Sequence, residues 1–95
     1  MLHSKAHHVY VLRCADGSLY TGYTTDIKRR INEHNTSVKG AKYTRGRRPV
    51  VLVYHECFAT KSEALMREHA IRILSKQKKE ALILKNRKER FINEQ

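Results

Sequence analysis

No apolar run in the sequence approaches the roughly 20 residues that a membrane-spanning helix needs, and the longest, Val50 to Tyr54, has the length of a strand. A helical membrane span is thereby excluded. The N-terminal stretch from Met1 to His8 lacks the apolar centre of a secretory signal, which predicts a chain that stays in the cytosol. Two cysteines, Cys14 and Cys57, do not make a disulfide framework; in a reducing compartment they read as two small buried side chains. There is no Gly-rich phosphate loop, no Ser-His-Asp arrangement in a recognisable local context and no internal repeat, so nucleotide-cradle and triad chemistry find no support. Six histidines invite a zinc reading, His7 and His8 with Cys14 or His55 with Cys57. Neither set has the doubled spacing of a structural zinc site.

Acidic residues are scarce as well. Nine Asp and Glu stand against 20 Lys and Arg, giving a formal net charge of +11 in 95 residues. So many like charges repel one another in a folded monomer unless a polyanion or counterions are near, which points to nucleic acid or another anionic surface as a partner. The length predicts a single domain, residues 1–95, with a core over 7–85 and a highly charged tail over 86–95 that is expected to fray. Hydrophobic residues make up 40% of the chain, enough for one modest core.

Val9 to Arg13 and Leu19 to Tyr23 are β-branched and aromatic segments on either side of an Asp16-Gly17 turn signal, and they predict a hairpin. With a three-residue loop, Ala15 to Gly17, Leu12 pairs with Tyr20 and Tyr10 with Gly22, so that Tyr10 and Tyr20 share a face, whereas a two-residue loop would separate them onto opposite faces. Cap-type residues at Thr24 to Asp26 precede a helix to about His34, with an inward stripe of Ile27, Arg30, Ile31 and His34. Asn35 to Pro49 reads as a basic connecting loop. Val50 to Glu56 reads as a strand without clean alternation, which suits a central position covered on both faces. Thr60 and Glu63 have the spacing of a capping box, opening a helix from about Lys61 to Leu74 with an inward stripe of Ala64, Leu65, Glu68, Ile71 and Leu74. A third helical stretch, Gln77 to about Asn86, presents Ala81, Leu82 and Leu84. The order strand, strand, helix, strand, helix, helix predicts an α+β domain, a small three-stranded antiparallel sheet flanked by helices.

Arg30, His34 and Glu68 each interrupt an apolar stripe, and an unpaired buried charge costs several kcal/mol. Two readings compensate it. In one, Glu68 pairs with Arg30 as a structural salt bridge. In the other, the three line a cleft with the tyrosine face, where a phosphate and a metal ion complete the charge balance. For the tyrosines themselves the plain alternative is ordinary strand residues. Gly22, opposite Tyr10, is expected to leave room for a substrate backbone.

Tyr10, the run from Cys14 through Tyr20-Thr21-Gly22, then Arg30, His34 and Glu68 together resemble the GIY-YIG nuclease domain, especially its small stand-alone bacterial members. The similarity covers roughly residues 7–85. The first name-giving tripeptide stands here as His8-Val9-Tyr10 and the second as Tyr20-Thr21-Gly22. The resemblance implies hydrolysis of a phosphodiester with one divalent ion, Mg²⁺ or Mn²⁺, held by Glu68, a hard cation that keeps several of its waters. It implies Arg30 on the phosphate oxygens and Tyr10 as the group that deprotonates the attacking water, assisted by Tyr20 and His34, with the assignment among these three left open.

Lys42, Tyr43, Arg45, Arg47 and Arg48 combine cations with an aromatic face, which suits phosphate contacts and base stacking and predicts binding that weakens steeply with salt. The second basic surface, Lys76, Lys78, Lys79, Lys85, Arg87, Lys88 and Arg90, reads as solvation or non-specific attraction. The expectation is therefore a structure-selective DNA endonuclease of repair, recombination or nucleic-acid turnover, with DNA or RNA as partner and no organic cofactor. The alternative is a nucleic-acid-binding module that keeps the fold without catalysis.

Overall fold

The computed structural model describes the backbone of residues 6–93 and the side chains of residues 6–89, so Met1 to Lys5, the side chains of residues 90–93, Arg90 of the basic surface among them, and the last two residues of the charged tail lie outside the described residues. The elements are β1 (His7–Arg13), β2 (Leu19–Thr24), α1 (Ile27–Thr36), α2 (Lys42–Arg45), β3 (Val51–Phe58), α3 (Lys61–Arg72) and α4 (Lys76–Asn93). The sheet is antiparallel with strand order β2-β1-β3, an α+β architecture as expected.

Gly17 adopts φ +85, a left-handed conformation that a residue with a Cβ rarely takes, and the Cys14 N–H donates to the Ser18 carbonyl at 2.9 Å to close the three-residue loop. That loop fixes the register: Leu12 faces Tyr20 and Tyr10 faces Gly22. Helix starts also follow the sequence. Asp26 accepts from the Arg29 N–H at 3.1 Å, and Thr60 accepts from the Glu63 N–H at 3.2 Å.

The centre of the sheet is β1, not β3. Val9, Tyr10, Val11 and Leu12 are all buried, whereas Val51 and Leu52 on β3 are 56% and 39% exposed. The register jumps from Val11 opposite Tyr54 to Leu12 opposite Leu52, so Val53 is an extra residue in an edge strand. A bulge of this kind breaks the two-residue alternation, and in sequence the broken alternation resembles cover on both faces.

Alternation along β1 divides the core in two. Val9 and Val11 pack with Tyr54, Ala64, Ile71 and Ile83, the layer of α3 and α4. Tyr10 and Leu12 pack with Cys14, Val50, Tyr20, Ile27 and Ile31, the layer of α1. On α3 the buried residues are Ala64 and Ile71; Leu65 is exposed, and Leu74 falls beyond the helix end. On α4 it is Ile83 that enters the core, with Leu82 packed against it, while Ala81 and Leu84 lie outside. The helix also runs to Asn93 without a break at Asn86, tied to β1 by a two-pronged ion pair in which Arg13 donates to Glu80 at 2.6 and 2.8 Å. The charged tail through Asn93 is therefore helical.

The segment 35–50 is more ordered than a connecting loop. Asn35 donates to the Val50 carbonyl and accepts from the Val50 N–H, at 3.0 and 2.7 Å, and Arg48 donates to the carbonyls of His34 and Ser37, each at 2.5 Å. Between these clamps lies α2, a single turn that buries Thr44.

Thr21 has the only buried side-chain oxygen without a hydrogen-bond partner among the described residues. A buried hydroxyl left unsatisfied costs about 1–3 kcal/mol, so Thr21→Val, which keeps the shape and removes the oxygen, is expected to raise stability by about 1 kcal/mol in urea unfolding.

Candidate active site

Tyr10, Tyr20 and Gly22 project from the α1 face of the sheet, as the register requires. The Tyr10 ring lies over Gly22: a Cβ built there would sit 2.4 Å from the Tyr10 hydroxyl oxygen. The space beside Gly22 is thus filled by Tyr10 itself and not by an incoming backbone. From this position the Tyr10 hydroxyl reaches His34 Nε2 at 2.8 Å. His34 Nδ1 lies 2.9 Å from Thr44 Oγ1, and Thr44 donates its own hydroxyl hydrogen to the Ala41 carbonyl at 3.0 Å. The Ala41 N–H also donates to Nδ1, at 3.4 Å, so the imidazole is held by contacts on both of its nitrogens. Tyr20 closes the cluster, its ring centroid 6.4 Å from Tyr10 and 5.2 Å from His34.

Burial sets the ionisation of this chain. Desolvation pushes the Tyr10 phenol up to about 12; the charge of Tyr20 adds to the rise, and the Arg30 guanidinium, which lies against the phenol, opposes it. Desolvation, with the Arg30 charge second, pushes His34 down to about 4. An unfolded His34 takes up a proton below about pH 6.5 and the folded one only below about 4, so between these values the unfolded state binds more protons and stability falls as pH falls. The loss across that window is expected to reach about 3 kcal/mol in urea unfolding, and His34→Gln is expected to flatten it.

Arg30 occupies the mouth of the site. Its guanidinium donates to Glu33 at 2.9 Å and to the Lys39 carbonyl at 2.8 Å. Beside it, an open cleft of about 480 Å³ is lined by Tyr23, Thr24, Arg29, Arg30, Glu33 and Lys39. Tyr23 belongs to the layer of α3 and Arg30 to α1, so the cleft lies along the free edge of β2, where both layers are reachable. Three cations against one carboxylate suit a phosphate.

Glu68 is on the other layer. Its side chain is 16% exposed, and its Oε2 accepts from Arg72 at 2.9 Å, so the structural salt bridge runs from Glu68 to Arg72 and from Arg30 to Glu33, not between Glu68 and Arg30. Among the described residues no hydrogen bond or ion pair joins Glu68 to Tyr10, Tyr20, Arg30 or His34, which do cluster. Its second oxygen, Oε1, makes no hydrogen bond among them. A lone carboxylate oxygen of this kind fits a hard cation that keeps several waters.

The basic segment divides by what each side chain already does. Arg48 clamps the end of α1 and Arg47 pairs with Asp16 at 3.1 Å and sits 3.9 Å above the Tyr43 ring. Tyr43 also stacks on Tyr20, centroids 6.0 Å apart, so its ring serves the fold before any base. Lys42 and Arg45 are exposed on α2 and carry no ion pair among the described residues. Sequence reasoning missed Thr44, Asn35 and the structural role of Arg48, because isolated polar side chains in a Gly- and Pro-bearing stretch carry no periodicity to mark them.

The family model described as the GIY-YIG catalytic domain matches residues 6–89. The chain belongs to the GIY-YIG family. Within it, the chain is 59% identical over 76 residues to a UPF0213 protein of Haloquadratum walsbyi, covering 80% of this chain and 84% of that one. It is 57% identical over 77 residues to a UPF0213 protein of Bacillus pumilus, covering 81% and 78%. Among solved structures it is similar to the solution structure of a UPF0213 protein from Bacillus halodurans, with TM-score 0.54, 55% identity and 82% coverage of each chain. A second solution structure, of a protein from E. faecalis, matches with TM-score 0.56 and 48% identity, covering 86% of this chain and 88% of that one. The family model places the chain in a nuclease family. Among the described residues, no helix is long and apolar enough to cross a membrane.

Proposed function

We propose that this GIY-YIG chain hydrolyses phosphodiester bonds in DNA, selecting substrates by structure more than by sequence, in repair, recombination or nucleic-acid turnover. The observation that carries the reading is the Tyr10–His34–Thr44 hydrogen-bond chain, with Tyr20 packed on it, joined by Arg30 to a cationic cleft.

Arg30 contacts the phosphate oxygens where negative charge grows. Lys42 and Arg45 extend the phosphate track, and Arg47 and Arg48 hold it in shape. Tyr10 is too costly a base: from a value near 12, its anion at pH 7 costs about 7 kcal/mol, and the residue is 1% exposed. The half-exposed phenol is Tyr20, which therefore takes the role of orienting and deprotonating water, with Tyr10 and His34 positioning it. Glu68, on the helix that packs against β2, would hold Mg²⁺ or Mn²⁺. When bound there, the ion supplies stabilisation of the leaving oxygen.

Incubation with plasmid and branched DNA in Mg²⁺ or Mn²⁺, beside Glu68→Ala, tests the reading. Cleavage by the wild type alone supports it; equal cleavage by both overturns the site. A second reading, a nucleic-acid-binding module without catalysis, is favoured by the Glu68–Arg72 pairing, and cleavage by neither protein would establish it.

A further inference from the structure

β1 and β3 bring His8 to two donors, His55 and Cys57, that lie 47 and 49 positions further along the chain. His8 faces Cys57 directly in the antiparallel register, and His55, two residues before Cys57 on the same strand, is diagonal to His8. All three therefore project from one face of the sheet. His8 Nδ1 lies 2.7 Å from His55 Nε2 and 3.6 Å from Cys57 Sγ, and the three ligand atoms all fall within 4.8 Å of one another. The imidazole rings are 4.8 Å apart at 32°.

These separations are close to those of a tetrahedral metal centre. With bond lengths of about 2.0 Å to nitrogen and 2.3 Å to sulfur, two nitrogens on one zinc ion stand about 3.3 Å apart and a nitrogen and a sulfur about 3.6 Å apart. The distance from Cys57 Sγ to His8 Nδ1 already matches, and its distance to His55 Nε2 is within 4.8 Å; the two nitrogens need to part by about 0.6 Å, a small change when His55 and Cys57 are exposed and His8 is half-buried. Two imidazoles and a thiolate suit a borderline or soft ion and not Mg²⁺ or Mn²⁺. A chain of net charge +11 repels loosely held cations, so an ion retained here is retained by its ligands.

We propose that His8, His55 and Cys57 form a zinc site that pins edge strand β3 to central strand β1, with a fourth position open to water or a further ligand. Cys57 binds as the thiolate and releases its proton to solvent. The site is independent of the nuclease reading: it shares no residue with that site and takes a different class of ion. Sequence spacing offered His55 with Cys57 but not His8 beside them, because His8 joins the pair across the strands.

Cobalt titration of the full chain tests the assignment. A thiolate-to-cobalt charge-transfer band is expected, displaced by stoichiometric Zn²⁺ and untouched by Mg²⁺. Cys57→Ser is expected to abolish the band, and His8→Ala and His55→Ala each to weaken binding at least tenfold. Zinc at a hundredfold excess over its dissociation constant is expected to raise the melting temperature by about 10 °C in the wild type and not in Cys57→Ser. Cobalt binding without the band, a band that survives Cys57→Ser, or zinc stabilisation equal in both proteins overturns the site.

Discussion

Arg30→Ala is expected to lower single-turnover DNA cleavage by about 10²- to 10³-fold, the cost of removing one donor aimed at developing charge. Arg30 is the one cation that touches both the Tyr10 phenol and the cleft, so its loss removes phosphate stabilisation and the charge that opposes the rise of the Tyr10 phenol. Its bond to the Lys39 carbonyl also joins α1 to the segment that follows, which gives the substitution a structural side. Arg30→Lys separates the two: it keeps the charge but not the forked geometry, and cleavage is expected to stay well below wild type while folding is preserved. Equal cleavage rates for Arg30→Ala and wild type, with DNA affinity unchanged, would remove Arg30 from the chemistry.

Gly22→Ala is expected to cost about 1–3 kcal/mol in stability and to reduce cleavage with it. The added methyl would meet Tyr10 at 2.4 Å from its hydroxyl oxygen and 2.5 Å from the carbon that bears it. The far end of an exposed side chain could swing away, but Tyr10 is buried and held by His34, so moving it breaks the hydrogen-bond chain. Urea unfolding reads the first effect and single-turnover cleavage the second. A fully stable and active Gly22→Ala would show that Tyr10 has room to spare.

Much of this arrangement was legible in the sequence because local rules fix it. Asp16-Gly17 marks the turn, and of the two loop lengths open to it the structure adopts the three-residue one, whose register puts Tyr10, Tyr20 and Gly22 on one face. The helical stripe of α1 places His34 inward, as read. Long-range consequences were less visible. The bulge at Val53 disguised an edge strand as a central one, and Tyr10, read as facing a substrate, proved to be buried over Gly22. Thr44 reaches His34 from ten residues away through a single helical turn, too short for any periodic signal. Glu68 was correctly found inside an apolar stripe, but the stripe does not say which face of the sheet α3 covers, and that is decided by Val9 and Val11.

Glu68→Gln offers the most direct test, because it keeps the size of the side chain and removes only the charge. DNA affinity and single-turnover cleavage would be measured on the same branched substrate in Mg²⁺ for this variant and the wild type. The account predicts affinity within about twofold of wild type and cleavage lower by at least about 10²-fold, the scale of one lost transition-state contact. Undiminished cleavage by Glu68→Gln, or a wild type that binds the substrate tightly and never cuts it in Mg²⁺ or Mn²⁺, would contradict it.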